Sequence, residues 1–324
     1  MIANKSSIAI LCPVYNDWHS LEILIKELDR VLADSELNVG LFVVDDGSTH
    51  HFDLSKLPEI NRIHDIEYLR LVANMGHQRA IAVGLCEIEK RNAYDAVVIM
   101  DSDGEDRPED VLRLIDAHHK KAGSIVVAQR IARSEGVAFK FFYFFYKRLF
   151  KFLTGQAIDF GNFSLIPSFY LSQINAMPES WNHLAASIVR SRIPLIRVPT
   201  SRAKRYAGKS SMNFISLVLH GLGGMSVFID VFLVRLLLIL LALGGIGAMI
   251  AVSVLLLRLK NPSWDPAWFN FMLGFGCVLF TQIITFALIT LFITLSQRNT
   301  QKLPLSMFSS SYLREVICVK KSLS

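Results

Sequence analysis

Two carboxylates one residue apart, Asp101 and Asp103, follow the apolar run Ala96–Met100. A short apolar run bounded by turn-forming residues reads as a buried parallel strand. In an open α/β sheet, ligands bind in the crevice beyond the carboxyl ends of the strands. An aspartate pair placed there can hold a divalent cation through oxygen ligands, and the cation can bridge a diphosphate. Taken alone, Asp101-Ser102-Asp103 fits a solvated surface turn better, so its surroundings must decide. Three other stretches repeat the pattern of polar residues at the end of an apolar strand. Ile8–Leu11 breaks at Cys12-Pro13-Val14-Tyr15-Asn16-Asp17, Val39–Val44 ends on Asp45-Asp46-Gly47-Ser48, and Ile66–Val72 leads to Asn74-Met75-Gly76-His77.

The elements between these strands supply their scaffold. Asn16 or Asp17 can cap a helix whose Leu21, Leu24, Ile25, Leu28, Val31 and Leu32 share one face. A second helix runs through Ala80, Val83 and Leu85. A third starts with Pro108 in its first turn, and Val111, Leu114 and Ile115 follow at helical spacing. With Ile125–Gln129 as a further strand, the alternation is that of a doubly wound α/β domain. The absence of G-x-G-x-x-G after the first strand argues against a dehydrogenase. Beyond Arg130 comes a loop, residues 158–167, that carries Asp159 and enters a strand. Ile193–Val198 is another strand. It is followed by a basic loop in which Arg202, Lys204, Arg205 and Lys209 surround Gly208 and Ser210, a composition suited to phosphate or to plain solvation.

Of the 324 residues, 52% are hydrophobic and the formal net charge is +6; with a mean hydropathy of +0.38, part of the chain is expected in a membrane. The positive balance suits phosphates or lipid head groups. No finger, helix-turn-helix or RNA-binding aromatic signature points to nucleic acid. Cys12, Cys86, Cys277 and Cys318 show no C-x-x-C spacing and read as reduced thiols of a cytosol-facing protein. The first residues lack the form of a cleavable signal. Residues 139–152 crowd aromatic side chains around Lys140, Lys147, Arg148 and Lys151, which fits an interfacial helix or a core helix with solvated lysines.

Residues 1–213 are thus expected as a cytosolic catalytic domain, 214–235 as membrane-interfacial helices, 236–297 as a transmembrane hairpin with spans near 236–257 and 270–296, and 298–324 as a basic cytosolic tail. Each span exceeds the roughly 20 residues that cross a bilayer as a helix. Cations flanking the hairpin outnumber the two of its connector, which puts the N-terminal domain and the tail in the cytosol. Gly244, Gly247, Ala248 and Ala251 are small residues for close helix packing, within the hairpin or between subunits of a homo-oligomer.

In their order and spacing, Pro13-Val14-Tyr15-Asn16, Asp45-Asp46-Gly47-Ser48, Asn74-Met75-Gly76 and Asp101-Ser102-Asp103 resemble the family-2 glycosyltransferases of the GT-A fold. Asp106-Arg107-Pro108-Glu109 is similar to the turn that follows the acidic pair in that family. Asp159-Phe160-Gly161-Asn162-Phe163 and Arg205-Tyr206-Ala207-Gly208-Lys209-Ser210 resemble motifs of its polyprenyl-phosphate branch, which includes dolichol-phosphate mannose synthases and bacterial undecaprenyl-phosphate glucosyltransferases. Gly104-Glu105 departs from the Leu-Gln common there.

The resemblance implies a GT-A, Rossmann-like and mostly parallel sheet, followed by interfacial helices and a membrane hairpin. It implies inverting transfer of a sugar from a UDP- or GDP-linked donor to a polyprenyl phosphate at the cytosolic face of the membrane. Pro13, Tyr15, Asn16, Asp45, Asp46, Asn74, Gly76, Asp101 and Ser102 would bind the donor. Asp101 and Asp103 would hold Mg²⁺ or Mn²⁺, Asp159 would join them in catalysis, and Arg130, Arg205, Lys209 and Ser210 would hold the acceptor phosphate. The alternatives are another membrane-proximal acceptor at the same donor site, or a catalytically silent membrane scaffold of the same fold.

Overall fold

The computed structural model describes residues 6–53, 57–130, 147–207, 214–261, 267–298 and 304–320. They form two compact units, one of 1–141, 158–227 and 302–324, the other of 142–157 and 228–301.

The first unit is built on an eight-stranded sheet. Its strands are β1 (Ser7–Val14), β2 (Asn38–Asp45), β3 (Ile63–Leu71), β4 (Ala96–Ile99), β5 (Ile125–Arg130), β6 (Phe160–Pro167), β7 (Leu195–Thr200) and β8 (Leu313–Lys320). Their order is β7-β5-β6-β4-β1-β2-β3-β8. Strands β1 to β4 are mutually parallel, as are β5 and β7, whereas β6 and β8 run antiparallel to their neighbours.

The helices cover both faces, as parallel strands require. Alternation along β1 shows why: Ile8, Ile10 and Cys12 point into one core with α1 (Trp18–Val31) and α3 (Pro108–Lys120). Ala9 and Leu11 point into the other, with α2 (His77–Arg91), α4 (Leu171–Asn175) and α5 (Leu184–Ser191). The Asp17 carboxylate caps α1 by accepting the Ser20 N–H, and Pro108 opens α3. A last helix of this unit, α6, spans Phe214–Ser226.

Within residues 298–324, expected as a basic cytosolic tail, Leu313–Lys320 is the edge strand β8, paired with β3 from Leu71↔Leu313 to Asp65↔Lys320. Ile317 packs against the first core and Leu313 against the second, while Ser309 is wholly buried and donates to Glu87. The added strand satisfies a β3 edge that would otherwise present open backbone groups. Helix α6 belongs to the same unit as the sheet.

In the second unit, residues 147–154 are helical and α7 (Ile229–Lys260) and α8 (Ala267–Arg298) form the hairpin. Both long helices are long and apolar enough to cross a membrane, and the most apolar stretches of the two are 0% and 6% buried. Gly244 lies where a Cβ would come within 2.3 Å of the Phe280 ring, so close packing inside the hairpin uses this glycine; Gly247 faces open space. The Phe150 ring meets Phe228 edge-on, and Arg235 donates to the Phe152 carbonyl, capping the helix end of 147–154. The aromatic stretch before Lys147 lies outside the described residues.

Candidate active site

The carboxyl ends of β1, β2 and β4 converge on one crevice, where the acidic turn after β4 is held from three sides. Asp106, itself buried, accepts the Asp101 N–H at 3.1 Å. The Asp103 carboxylate accepts the Glu105 N–H at 2.9 Å, which tightens the turn. Gly104 takes φ +85 and lies so close beneath Tyr206 that a Cβ would meet the ring at 2.4 Å, which restricts this position to glycine. Residues 202–206 lie across the turn: Ala203 N–H donates to the Glu105 carbonyl, Tyr206 N–H to the Asp103 carbonyl, and Arg202 pairs with Glu105. Arg205 spans two loops, 3.3 Å from Asp103 and 3.5 Å from Asp17.

Burial, then the charge of Asp101, pushes the Asp103 carboxyl up to about 6, with Arg205 and Arg202 acting against them. A carboxylate raised by a like neighbour and partly neutralised by an arginine is a site short of positive charge. Among the described residues no group of three or more His, Cys, Asp or Glu could hold a metal ion. The aspartate pair nevertheless fits a hard dication that completes its coordination with substrate phosphates and water, as Mg²⁺ commonly does.

The motif after β2 is mostly turned inward. Asp45 is fully buried; it accepts the Ser48 N–H at 2.8 Å and the Tyr68 hydroxyl at 2.6 Å, with Arg70 at 3.5 Å. Burial and this bond raise the Tyr68 pKa. Asp46 accepts the backbone N–H groups of Met75 (2.7 Å) and Gly76 (2.9 Å), pinning the loop that enters α2. Burial raises its pKa against the pull of those bonds. Asn16, at φ +52, accepts from Thr49 and ties the loop after β1 to the same turn. Pro13 is buried inside β1, opposite Val44; Ser102 is buried, while Tyr15 and Asn74 are exposed at the rim. The expected donor residues therefore divide into those that face the crevice and those that shape it.

Sequence reasoning missed several neighbours. The Trp18 ring lies tilted against Phe52, centroids 5.0 Å apart, and donates to the His50 carbonyl, forming an aromatic wall next to the Asp45 turn. His77 stands 3.2 Å from Asp101 and 3.0 Å from the Asn162 amide. Burial lowers the His77 pKa, but Asp101 and then Asp46 and Asp106 outweigh it, and the net direction is upward. His77 had one available signal, its place directly after Gly76 at the helix start. Trp18 and Phe52 had none, since they meet only through the fold. Asp159 is held by Gln129 (2.6 Å), near the end of β5, and by Arg197 (3.2 Å), within β7. Arg130 closes β5 opposite Thr200. Lys209 and Ser210 lie outside the described residues.

A mostly parallel sheet with an acidic pair at its crevice and a loop laid over that pair is the arrangement of a GT-A nucleotide-sugar enzyme. Residues 9–174, just over half of the chain, match the glycosyl transferase family 2 profile. The chain belongs to that family and is a nucleotide-sugar-dependent glycosyltransferase. It is also similar to glucosyl-3-phosphoglycerate synthase from Mycobacterium tuberculosis, solved with Mn²⁺, UDP-glucose and phosphoglyceric acid. That likeness has 16% identity, covers 72% of this chain and 80% of that one, and has a TM-score of 0.47. Mannosyl-3-phosphoglycerate synthase from Rubrobacter xylanophilus shows 13% identity over 68% of this chain and 72% of its own, with a TM-score of 0.49.

Proposed function

We propose that the protein transfers a sugar, with inversion, from a UDP- or GDP-linked donor to the phosphate of a polyprenyl lipid at the cytosolic face of a membrane. The observation that carries this reading is Arg205. It belongs to the loop that leads toward α6 and the hairpin, and its guanidinium lies 3.3 Å from Asp103. A cation next to the acidic turn, on the segment nearest in sequence to the apolar helices, is where an acceptor phosphate attached to a bilayer lipid would be held.

Asp101 and Asp103 would hold Mg²⁺ or Mn²⁺, which supplies charge neutralisation of the departing nucleoside diphosphate. The chain's own residues do the rest. Asp106 and Gly104 fix the turn, Asp46 sets the start of α2, and the loop from Tyr15 to Asp17 with Trp18 lines the nucleotide side. The acceptor phosphate is largely ionised at neutral pH, so it needs orientation and charge compensation more than a base. Arg205 can supply both by leaving Asp103 for the phosphate, with Arg130, Lys209 and Ser210 as further ligands. Asp159, steadied by Arg197, borders the acceptor side.

The hairpin supports a membrane site with one fixed sense. Strand β7 precedes α7 and strand β8 follows α8, yet both belong to one sheet. If α7 and α8 span the bilayer, they must therefore leave and re-enter on the same side. The excess of flanking cations makes that side cytosolic.

The test is transfer of radiolabel from a panel of UDP- and GDP-sugars by the full chain in lipid nanodiscs, with undecaprenyl phosphate or phosphoglycerate as acceptor. Label in the lipid phase, absent when undecaprenyl phosphate is omitted, is expected. Label appearing only in a water-soluble product would overturn the lipid acceptor.

A further inference from the structure

We propose that the helix of residues 147–154 binds anionic lipid head groups. It lies in the bilayer border with Lys147, Arg148 and Lys151 at the lipid phosphates and with Leu149 and Phe152 in the acyl edge. This rests on the reading of α7 and α8 as membrane-spanning helices.

The helix carries three kinds of residue on three stripes. Phe150, Leu153 and Thr154 are buried, whereas Lys147, Arg148, Leu149, Lys151 and Phe152 are exposed. At 3.6 residues per turn the three cations share one stripe, and Leu149 and Phe152 fall on the next. The buried residues form the third stripe, where the Phe150 ring meets Phe228 edge-on at 6.1 Å. In water, nothing is gained by leaving a leucine 51% and a phenylalanine 62% exposed beside the cations. An apolar stripe next to a cationic one is the composition of a helix that lies in a membrane interface.

The depth of the helix follows from the hairpin in the same unit. Arg235 donates to the Phe152 carbonyl at 2.6 Å, which brings the C-terminal end of the short helix to the Arg235 guanidinium. Gly155, at φ +75, ends the helix there, and a Cβ on it would meet Arg235 at 2.5 Å. After Arg235, α7 carries no charge until Arg258, so Arg235 marks one border of that span. On α8, the Phe280 ring packs against Gly244. Counted in antiparallel from that contact, Ile289 comes level with Arg235 and Leu295 with Ile229. Over these levels α8 still exposes Ile289, Phe292, Ile293 and Leu295, by 45–75%, and it has no charge before Arg298. Six residues of helix rise about 9 Å, so apolar surface on α8 continues that far past Arg235. The end of the short helix is thus level with the edge of an apolar band. Arg235 is kept charged at that depth by the carbonyl and the negative dipole end of the helix it caps. The cationic stripe of the same helix then meets lipid phosphates, and a lipid of net negative charge is the one that complements it.

Depth and charge are read separately on the full chain. For depth, the chain in nanodiscs carries one nitroxide at a time in a background without the native cysteines. A nitroxide at Phe152→Cys should be relaxed more by oxygen, which concentrates in lipid, than by a water-soluble nickel chelate. The same is expected at Ile250→Cys within the span, while Asp34→Cys, exposed on the sheet unit, gives the aqueous reference. An aqueous signal at Phe152 with a lipid signal at Ile250 would overturn the proposal and leave the spans standing. Aqueous signals at both would overturn the spans and the proposal with them. For charge, binding constants for single lipids are measured by native mass spectrometry. Each Lys or Arg beside an anionic surface contributes about fivefold, so Lys147→Gln, Arg148→Gln and Lys151→Gln together should weaken phosphatidylglycerol binding by about tenfold or more. Phosphatidylcholine binding should not change. Unaltered phosphatidylglycerol binding, or equal losses for the two lipids, would overturn the proposal.

Discussion

Replacing Arg205 by alanine tests the proposed division of the site into an acceptor side and a donor side. In the structure its guanidinium is about a quarter exposed and stands 3.3 Å from Asp103 and 3.5 Å from Asp17. Pairs of that length in partial contact with water contribute about 0–1 kcal/mol each. The fold should therefore lose about 1 kcal/mol, a shift of roughly 2–4 °C in Tm for a unit of this size. The effect on transfer should be larger. A charge-assisted bond to a desolvated phosphate contributes about 1.5–3 kcal/mol, so kcat/KM for the lipid acceptor should fall roughly 10- to 150-fold at 1.4 kcal/mol per decade. Affinity for the nucleotide sugar should change little. Initial rates against undecaprenyl phosphate at saturating donor, with donor binding measured separately by calorimetry, provide the two numbers. A loss of donor affinity as large as the loss of lipid transfer would refute the division, and would assign residues 202–206 to the donor diphosphate.

Other outcomes follow from the same structure. Asp103→Asn should abolish transfer, and because the folded carboxyl titrates near 6 while an unfolded aspartate titrates near 4, wild-type stability falls as the pH rises between those values, by roughly 3 kcal/mol at most. The metal-free Asp103→Asn protein should thus melt above the wild type at neutral pH and level with it below about pH 4; a lower melting point at neutral pH would contradict the burial argument. A cysteine at Asn261, in a background without the native four, should label from outside intact cells, whereas one at Ser311 should label only after permeabilisation; the reverse pattern would invert the topology. Ending the chain after Tyr312 removes β8, uncovers the β3 edge and should cause aggregation seen by size-exclusion chromatography in detergent, a result refuted if the truncated protein elutes and melts like the full chain.

Much of this architecture was legible before any coordinates. Apolar runs at Ala96–Met100 and Val39–Val44, separated by helices with a 3.6-residue period, can be buried only as parallel strands between two helical layers. That placement forces the polar residues following them into a shared crevice. The hairpin was equally legible, since long uncharged stretches have few other stable environments. Which atoms meet in the crevice was decided by tertiary structure alone. Asp45 and Asp46 look alike in sequence, yet Tyr68 and Ser48 enclose the first while the backbone of Met75 and Gly76 claims the second. Strand β8 carries weak alternation and pairs with a partner some 250 residues earlier, so nothing local marks it as part of the sheet. Arg205 reaches Asp103, and Gln78 reaches His77 through Asn162, across separations that only the closed sheet brings within 3.5 Å. Periodicity is a property of neighbours along the chain, and it fixes elements; hydrogen-bond direction and charge pairing depend on neighbours in space, and only the fold supplies those.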